Sequence, residues 1–366
     1  MRTLVVSDLH LGSSSDRDVL RLSGPRAALL AAVERAERLI LLGDVLELRG
    51  LSARDAVERS RAALGEIGAA AGDAPVVLLP GNHDHRFAAE WIDGRRSRGG
   101  SELALEQVWR PGRSGLAAKV ARALGASELT LAYPGVWLRP DVYATHGHYL
   151  DCHNAVPALE PLAAAVTARL AGGLPTGRLG ADAYEAALAP LYAFIHELSQ
   201  RRPPPRAPEG PGASLRLWQR LNSGNGGLDL TRLFLGRLVI PGAVAGVNRA
   251  GLGRFSADLS PASLRRAALQ AMGTVVARLG VEAEHVIFGH THRAGPLATD
   301  DPADGWERDG GGRLWNSGSW VLEPELIGTI GVRSGHWPGA CLVLEEDGPP
   351  RLERLLDTTA SFALTA

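Results

Sequence analysis

The feature that most constrains the fold is an alternation in the first ninety residues. "TLVVS" (3–7), "RLILLG" (38–43) and "PVVLLPG" (75–81) are short, unbroken apolar runs. Runs this short, without polar alternation, are strands buried on both faces. Between them, "PRAALLAAVERAERL" (25–39) and residues 53–71 carry apolar positions at helical spacing, and Pro25 suits a first helical turn. Buried strands alternating with helices predict βαβ units and a mostly parallel sheet.

The rest of the chain changes character twice. After residue 128, "ELTLAY", "GVWL" and "DVYATHG" read as strands. From 155 to 280 the pattern is helical, with candidate helices near 156–171, 180–199, 213–222 and 261–279. "RRPPPRAPEGPG" (201–212) is an extended linker within it. "HVIFG", "RLWNSGSWV", "ACLVLEED" and "RLERLLD" restore strand character. Sheet, helices and sheet again predict one sandwich, residues 1–154 with 281–366, interrupted by a helical insert over 155–280.

Composition bounds the function. With 366 residues and 45% hydrophobic content, a sizeable core is expected. Two cysteines, Cys152 and Cys341, are too few for a disulfide framework and fit a reducing compartment. Met1 and Arg2 lead straight into a strand, without the apolar segment of a signal peptide. The longest apolar stretch, 233–247, is interrupted by Arg237 and Pro241 and is too short to span a bilayer. The expectation is a soluble cytoplasmic protein. Residues 151–280 hold 14 Arg against 8 acidic residues, but the chain uses arginine almost to the exclusion of lysine throughout. Arginine excess therefore carries no argument for nucleic acid.

The chemistry lies where the strands end. "TLVVS" is followed by Asp8 and His10, "LILL" by Asp44 and Glu47, and "VVLLP" by Asn82, His83 and Asp84. "DVYAT" is followed by His146 and His148, and "VIF" by His290 and His292. Each fragment alone is weak, since a lone histidine is more often structural. Jointly they are specific, because ligands of an open α/β sheet bind outside the carboxyl ends of its strands. Asp, His and Asn together suit Mn²⁺, Fe or Zn²⁺ and lack the thiolates of a structural zinc site. Seven such ligands exceed what one substrate-binding ion needs and suit two ions sharing a carboxylate. Two ions can clamp a phosphoryl oxygen and generate hydroxide at neutral pH.

The order DxH, GDxxE, GNHD, HGH, GHTH resembles the calcineurin-like metallophosphoesterases, and "NSGSW" (316–320) extends the likeness. "DLHLG", "GDVLE" and "GHTHR" are similar to the bacterial UDP-2,3-diacylglucosamine diphosphatase-like branch. The resemblance implies a four-layer α/β/β/α sandwich and two divalent ions, manganese favoured. Asp8, His10 and His292 would hold one ion, and Asn82, His146 and His290 the other, with Asp44 bridging. His83 would act at the leaving group, and Asp84 would orient it. Two residues depart from the pattern. Glu47 stands where many members have Asp. His83 stands where the diacylglucosamine-type members tend to have Arg, which counts against lipid A chemistry. His148, Tyr149, Asp151, His153 and His85 crowd the same motifs, as substrate contacts or as ordinary satisfied loop residues.

The expected activity is hydrolysis of a phosphoester or phosphoanhydride bond in a phosphorylated small molecule, through a bridging hydroxide. A nuclease or nucleotide phosphodiesterase, and a non-catalytic scaffold on the same fold, are the alternatives. Apolar and cationic residues of the insert would suit a cap over the metals, or peripheral contact with a membrane surface. No obligate protein partner is implied.

Overall fold

The computed structural model describes residues 1–100, 102–155, 159–170, 172–201 and 260–356, with 248–249, 255–256 and 258. The expected helix at 213–222, the apolar stretch 233–247 and nearly all of the linker lie outside the described residues.

The strands are β1 (Thr3–Val6), β2 (Arg38–Leu42), β3 (Val76–Leu79), β4 (Glu106–Trp109) and β5 (Leu129–Arg139). They continue as β6 (Val142–Thr145), β7 (His285–Phe288), β8 (Arg313–Asn316), β9 (Ala340–Leu344) and β10 (Arg351–Arg354). The helices are α1 (Ser23–Val33), α2 (Ala53–Ala71), α3 (Arg86–Arg96), α4 (Gly115–Leu124), α5 (Leu159–Leu170), α6 (Ala181–Gln200), α7 (Pro261–Leu279) and the single turn α8 (Pro324–Ile327). Strand order is β10-β9-β1-β2-β3-β5-β6-β7-β8, with β4 on β5. β1, β2 and β3 pair in parallel, as do β6, β7 and β8.

Where the sequence suggests two strands, "ELTLAY" and "GVWL", the structure has the single strand β5. Its residues Leu129–Leu131 pair with β3, and Gly135–Arg139 pair with β6. One strand thus belongs to both halves, and the sheet curls over on itself there. Gly135 is required at this corner, because a Cβ would collide with the Tyr143 hydroxyl.

Side-chain alternation then builds four layers. Leu4, Val6, Leu39, Leu41, Val76 and Leu78 share a core with Leu29 of α1, Leu64 of α2 and Val120 of α4. Their neighbours Val5, Ile40, Leu42, Val77 and Leu79 face the other way, into a core shared with Ala144, Ile287 and Trp315. Val286, Phe288 and Leu314 in turn pack with Tyr184 and Leu188 of α6 and Met272 and Val276 of α7. Three apolar cores separate four layers, helix, sheet, sheet and helix. Every central strand is buried on both faces, which is why each reads as a continuous apolar run. Helices α5, α6 and α7, from the segment expected as an insert, contribute to the outer helical layer.

Candidate metal centre

Each candidate residue follows a buried strand, and the loops converge at one edge of the sandwich. Six non-glycine residues among those described have positive φ. Five are Asp8 (54°), His10 (45°), Asp44 (50°), His290 (66°) and His292 (55°), and the sixth is Asp16. Left-handed backbone at a non-glycine residue costs about 1–3 kcal/mol and gathers at functional sites. Here it turns the side chains inward. Glycines make room for them: a Cβ at Gly81 would strike Asp44 and His146, and one at Gly289 would lie 2.5 Å from Asp8 Oδ2.

Two sets of atoms meet at Asp44. Its Oδ1 accepts from the His83 amide at 2.8 Å. Its Oδ2 lies 3.7 Å from His10 Nε2 and 3.3 Å from His146 Nε2. On one side, His10 Nε2 and His292 Nε2 face each other at 3.1 Å, and Asp8 Oδ1 is 3.4 Å from His292 Nε2. Asp8 Oδ1 is buried without a hydrogen-bond partner. On the other side, Asn82 Oδ1 lies 3.1 Å from both His146 Nε2 and His290 Nδ1. With the amide turned over, its nitrogen donates to His290 Nδ1, Asp44 Oδ2 and His146 Nε2, and its oxygen accepts from Arg49. The orphaned buried oxygen of Asp8, and the imidazole nitrogens converging on Asp44, fit a pair of cations.

The far nitrogens of the four histidines are all anchored. His10 Nδ1 meets Glu47 at 3.2 Å, and His292 Nδ1 meets Glu323 at 2.8 Å. His146 Nδ1 bonds the Leu42 carbonyl at 2.9 Å, and His290 Nε2 lies 3.1 Å from both Asp151 oxygens. Metal-binding histidines are typically oriented in this way.

The buried carboxylates and imidazoles shift one another. Burial works against ionisation of Asp44, but the His146 and His83 rings outweigh it and hold its carboxyl well below the usual range. Burial opposes ionisation of Glu47 too, and His83 and His10 hold it well below. Burial disfavours charge on His146, yet Asp44 raises it to about 9. Burial, then the Arg49 charge, lowers His83.

The structure corrects one expected role. Asp84 does not orient His83. Its carboxylate accepts from the backbone amides of Val45 (2.8 Å), Leu46 (3.2 Å) and Gly81 (2.7 Å), tying the loops after β2 and β3 together. Glu47 takes the orienting position, with Oε2 2.7 Å from His83 Nδ1. Burial, then the charge of Asp44, raises Asp84 to about 7.

Residues 1–163 match the family model of the calcineurin-like phosphoesterases. The first four of the five motif loops lie within them. These residues are a calcineurin-like phosphoesterase domain. The match is to the family as a whole and does not single out the diacylglucosamine branch. The chain also aligns with the crystal structure of a dimetal phosphatase from Danio rerio at 16% identity, over 96% of this chain and 98% of that one, with a TM-score of 0.35. So slight a likeness assigns nothing here. No curated protein matches the chain significantly.

Residues beyond 163 also reach these loops. Besides His290, His292 and Glu323, "NSGSW" braces the loops. Asn316 Nδ2 donates to the Gly289 carbonyl at 2.8 Å, and Ser317 Oγ lies 2.7 Å from Ser7 Oγ. A second buried polar cluster lies behind the site. Glu185 of α6 accepts from the hydroxyls of Tyr133 and Tyr149, the latter at 2.7 Å, and meets His85 Nε2 at 3.0 Å. His148 Nε2 is 3.0 Å from the Tyr133 hydroxyl. Of the crowding residues named from the sequence, Asp151 reaches His290, while His85, His148 and Tyr149 belong to this second cluster. His153 bonds the Tyr184 hydroxyl at 2.8 Å. Glu185, Tyr133 and Glu323 carry no motif that a single sequence displays.

Proposed function

We propose that the protein hydrolyses a phosphoester or phosphoanhydride bond with two divalent ions. Asp8, His10 and His292 would hold one, Asn82, His146 and His290 the other, and Asp44 would serve both. The observation that carries this reading is the convergence of His10 Nε2 and His146 Nε2 on Asp44 Oδ2, at 3.7 and 3.3 Å. Mixed oxygen and nitrogen donors suit manganese, iron or zinc. When bound, the ions supply Lewis acidity and a water of lowered pKa. The phosphorus–oxygen bond to the leaving group breaks with its electron pair on that oxygen. Water supplies the new bond to phosphorus, and a proton ends on the leaving group.

His83 acts at that proton. Glu47 fixes its Nδ1, and its Nε2 stands 4.0 Å from Asp44 Oδ2. Burial and Arg49 favour neutral imidazole, so donation requires a proton taken up with the anionic substrate. Otherwise His83 stabilises developing charge. Cys152 and Cys341 are free, in keeping with a cytoplasmic setting. No helix among the described residues is long and apolar enough to cross a membrane.

Elemental analysis after metal loading tests the reading, together with hydrolysis of p-nitrophenyl phosphate, its bis-diester, nucleotides and nucleotide-sugar diphosphates. Two ions per chain and turnover of at least one class are expected. One ion or none, with no turnover, overturns it.

A further inference from the structure

The two proposed ion sites differ in their third ligand, and the difference lies in Asn82. Its Oδ1 is 3.1 Å from both His146 Nε2 and His290 Nδ1. The far nitrogen of each ring is already committed. His146 Nδ1 donates to the Leu42 carbonyl at 2.9 Å, and His290 Nε2 donates to the Asp151 carboxylate at 3.1 Å. In neutral rings those bonds hold the protons, which leaves His146 Nε2 and His290 Nδ1 as acceptors.

An amide can meet such acceptors in two ways. With its oxygen inward, Asn82 would share an ion with the two rings. With its nitrogen inward, the same side chain donates to His290 Nδ1 at 3.1 Å, His146 Nε2 at 3.1 Å and Asp44 Oδ2 at 3.0 Å. The ion and the amide nitrogen therefore compete for the same lone pairs. Turning the nitrogen inward sends the oxygen outward, where Arg49 Nη2 donates to it at 2.8 Å. A hydrogen bond from a charged donor is roughly twice as strong as a neutral one. The guanidinium is in place for this, 5.8 Å from the centre of the Tyr192 ring and with Nη2 3.5 Å from the Asn82 backbone carbonyl.

The other side has no such competitor among the described residues. His10 and His292 are anchored through Nδ1 to Glu47 and Glu323, at 3.2 and 2.8 Å. Their Nε2 atoms stand 3.1 Å apart beside Asp8 Oδ1, which has no partner. A carboxylate such as Asp8 has no donor to turn inward.

We propose that Arg49 is a positioning residue that acts through Asn82. It holds the amide with the nitrogen inward, so the ion of Asn82, His146 and His290 binds only as the amide turns and leaves Arg49. That ion is the weaker and more readily exchanged of the two. This rests on the two-ion reading above.

The test is a calorimetric titration of the metal-stripped full chain with Zn²⁺, together with nitrogen-15 spectra of the Asn82 side-chain amide, identified by its loss in Asn82→Asp. Two unequal affinities are expected, and filling the weaker site should shift the amide signal. Arg49→Met should tighten that site about tenfold or more, the worth of a hydrogen bond to a charged group. Removing a positive charge also favours a cation by plain attraction. Asn82→Asp separates the two effects, because one carboxylate oxygen can meet the ion while the other meets Arg49. The charge effect persists in that background and the release effect does not. Arg49→Met should thus tighten the site about tenfold more in the wild type than beside Asn82→Asp, a coupling that a double-mutant cycle isolates. If Arg49→Met fails to fold, Arg49→Gln removes the charge, keeps a neutral donor and should act in the same direction. Equal effects in both backgrounds overturn the proposal and keep the two-ion reading. So does an amide signal that is indifferent to the second ion. A wild type that never takes up a second ion breaks the two-ion reading, and the proposal with it.

Discussion

Two buried polar clusters lie side by side in this protein, and they are built on opposite principles. Around Asp44 the partners are incomplete: His10 Nε2 and His292 Nε2 face each other at 3.1 Å, and Asp8 Oδ1 has no partner. Around Glu185, each carboxylate oxygen meets a donor, from Tyr133, Tyr149 or His85. Both are deeply buried and rich in histidine. An unsatisfied buried polar atom costs about 1–3 kcal/mol, so the first cluster is stable only if something else completes it. The second satisfies both oxygens of the carboxylate it is built on, although His148 Nδ1 has no partner. Histidine count would not separate them, whereas the direction of donors and acceptors does.

The largest effect should come from Asp44. Asp44→Ala removes the carboxylate that, among the described residues, faces both ligand sets. Elemental analysis should find fewer than two ions per chain, and activity should vanish. Two tightly held ions in a folded Asp44→Ala protein would mean that the acceptor convergence is not a shared site.

His83 comes next. His83→Ala should keep both ions and lose about 10²–10⁴ in turnover, the usual range for general acid catalysis. The loss should shrink for leaving groups of low pKa, measured over a series of aryl phosphates. A uniform loss across the series would leave charge stabilisation as its role.

Glu323 is a milder probe. Its carboxylate holds His292 Nδ1 at 2.8 Å and does not join the acceptor cluster. Glu323→Gln should weaken metal affinity about 10–100-fold, the typical cost of losing such a partner. Metal titration of stripped protein would show it, and unchanged affinity would remove Glu323 from the site.

How far the sequence reveals this depends on distance along the chain. The αβ rhythm of the first ninety residues is visible because each strand is buried on both faces. Helix α2 was readable to its ends, where Ser52 caps the first turn by accepting from the Asp55 amide at 3.2 Å. β4 is short and half exposed, and α3 carries mixed charge, so neither has a clear signature in the sequence. The ligand residues are legible because each lies in the short loop just beyond a buried strand, among glycines. Their anchors are not. Glu323 reaches His292 across 31 positions, and Glu185 reaches His85 across 100. No local periodicity encodes a contact made by the folded layers. Asp84 misled for the converse reason. It neighbours His83 in sequence, but it turns to the backbone of another loop.

The smallest effect on the metals should come from Glu185, and it tests the comparison most sharply. Glutamine keeps the shape of the side chain. Its oxygen can still accept from the two tyrosines, and its amide can donate to His85 Nε2 if that nitrogen is unprotonated. The lost charge should cost about 1–3 kcal/mol in denaturant unfolding, with metal affinity nearly unchanged. Burial opposes ionisation of Glu185, but His85 and the tyrosine hydroxyls outweigh it and hold the carboxyl below its ordinary 4.5. The folded-state value is thus depressed. Its contribution is fully present above the unfolded pKa and fades as pH falls through the folded one. The stability gap between wild type and Glu185→Gln should therefore be widest above pH 4.5 and close as pH falls below it. If Glu185→Gln sheds its metals as Asp44→Ala does, the two clusters are one functional unit. If the gap does not change with pH, the charge on Glu185 contributes nothing to holding α6 in place.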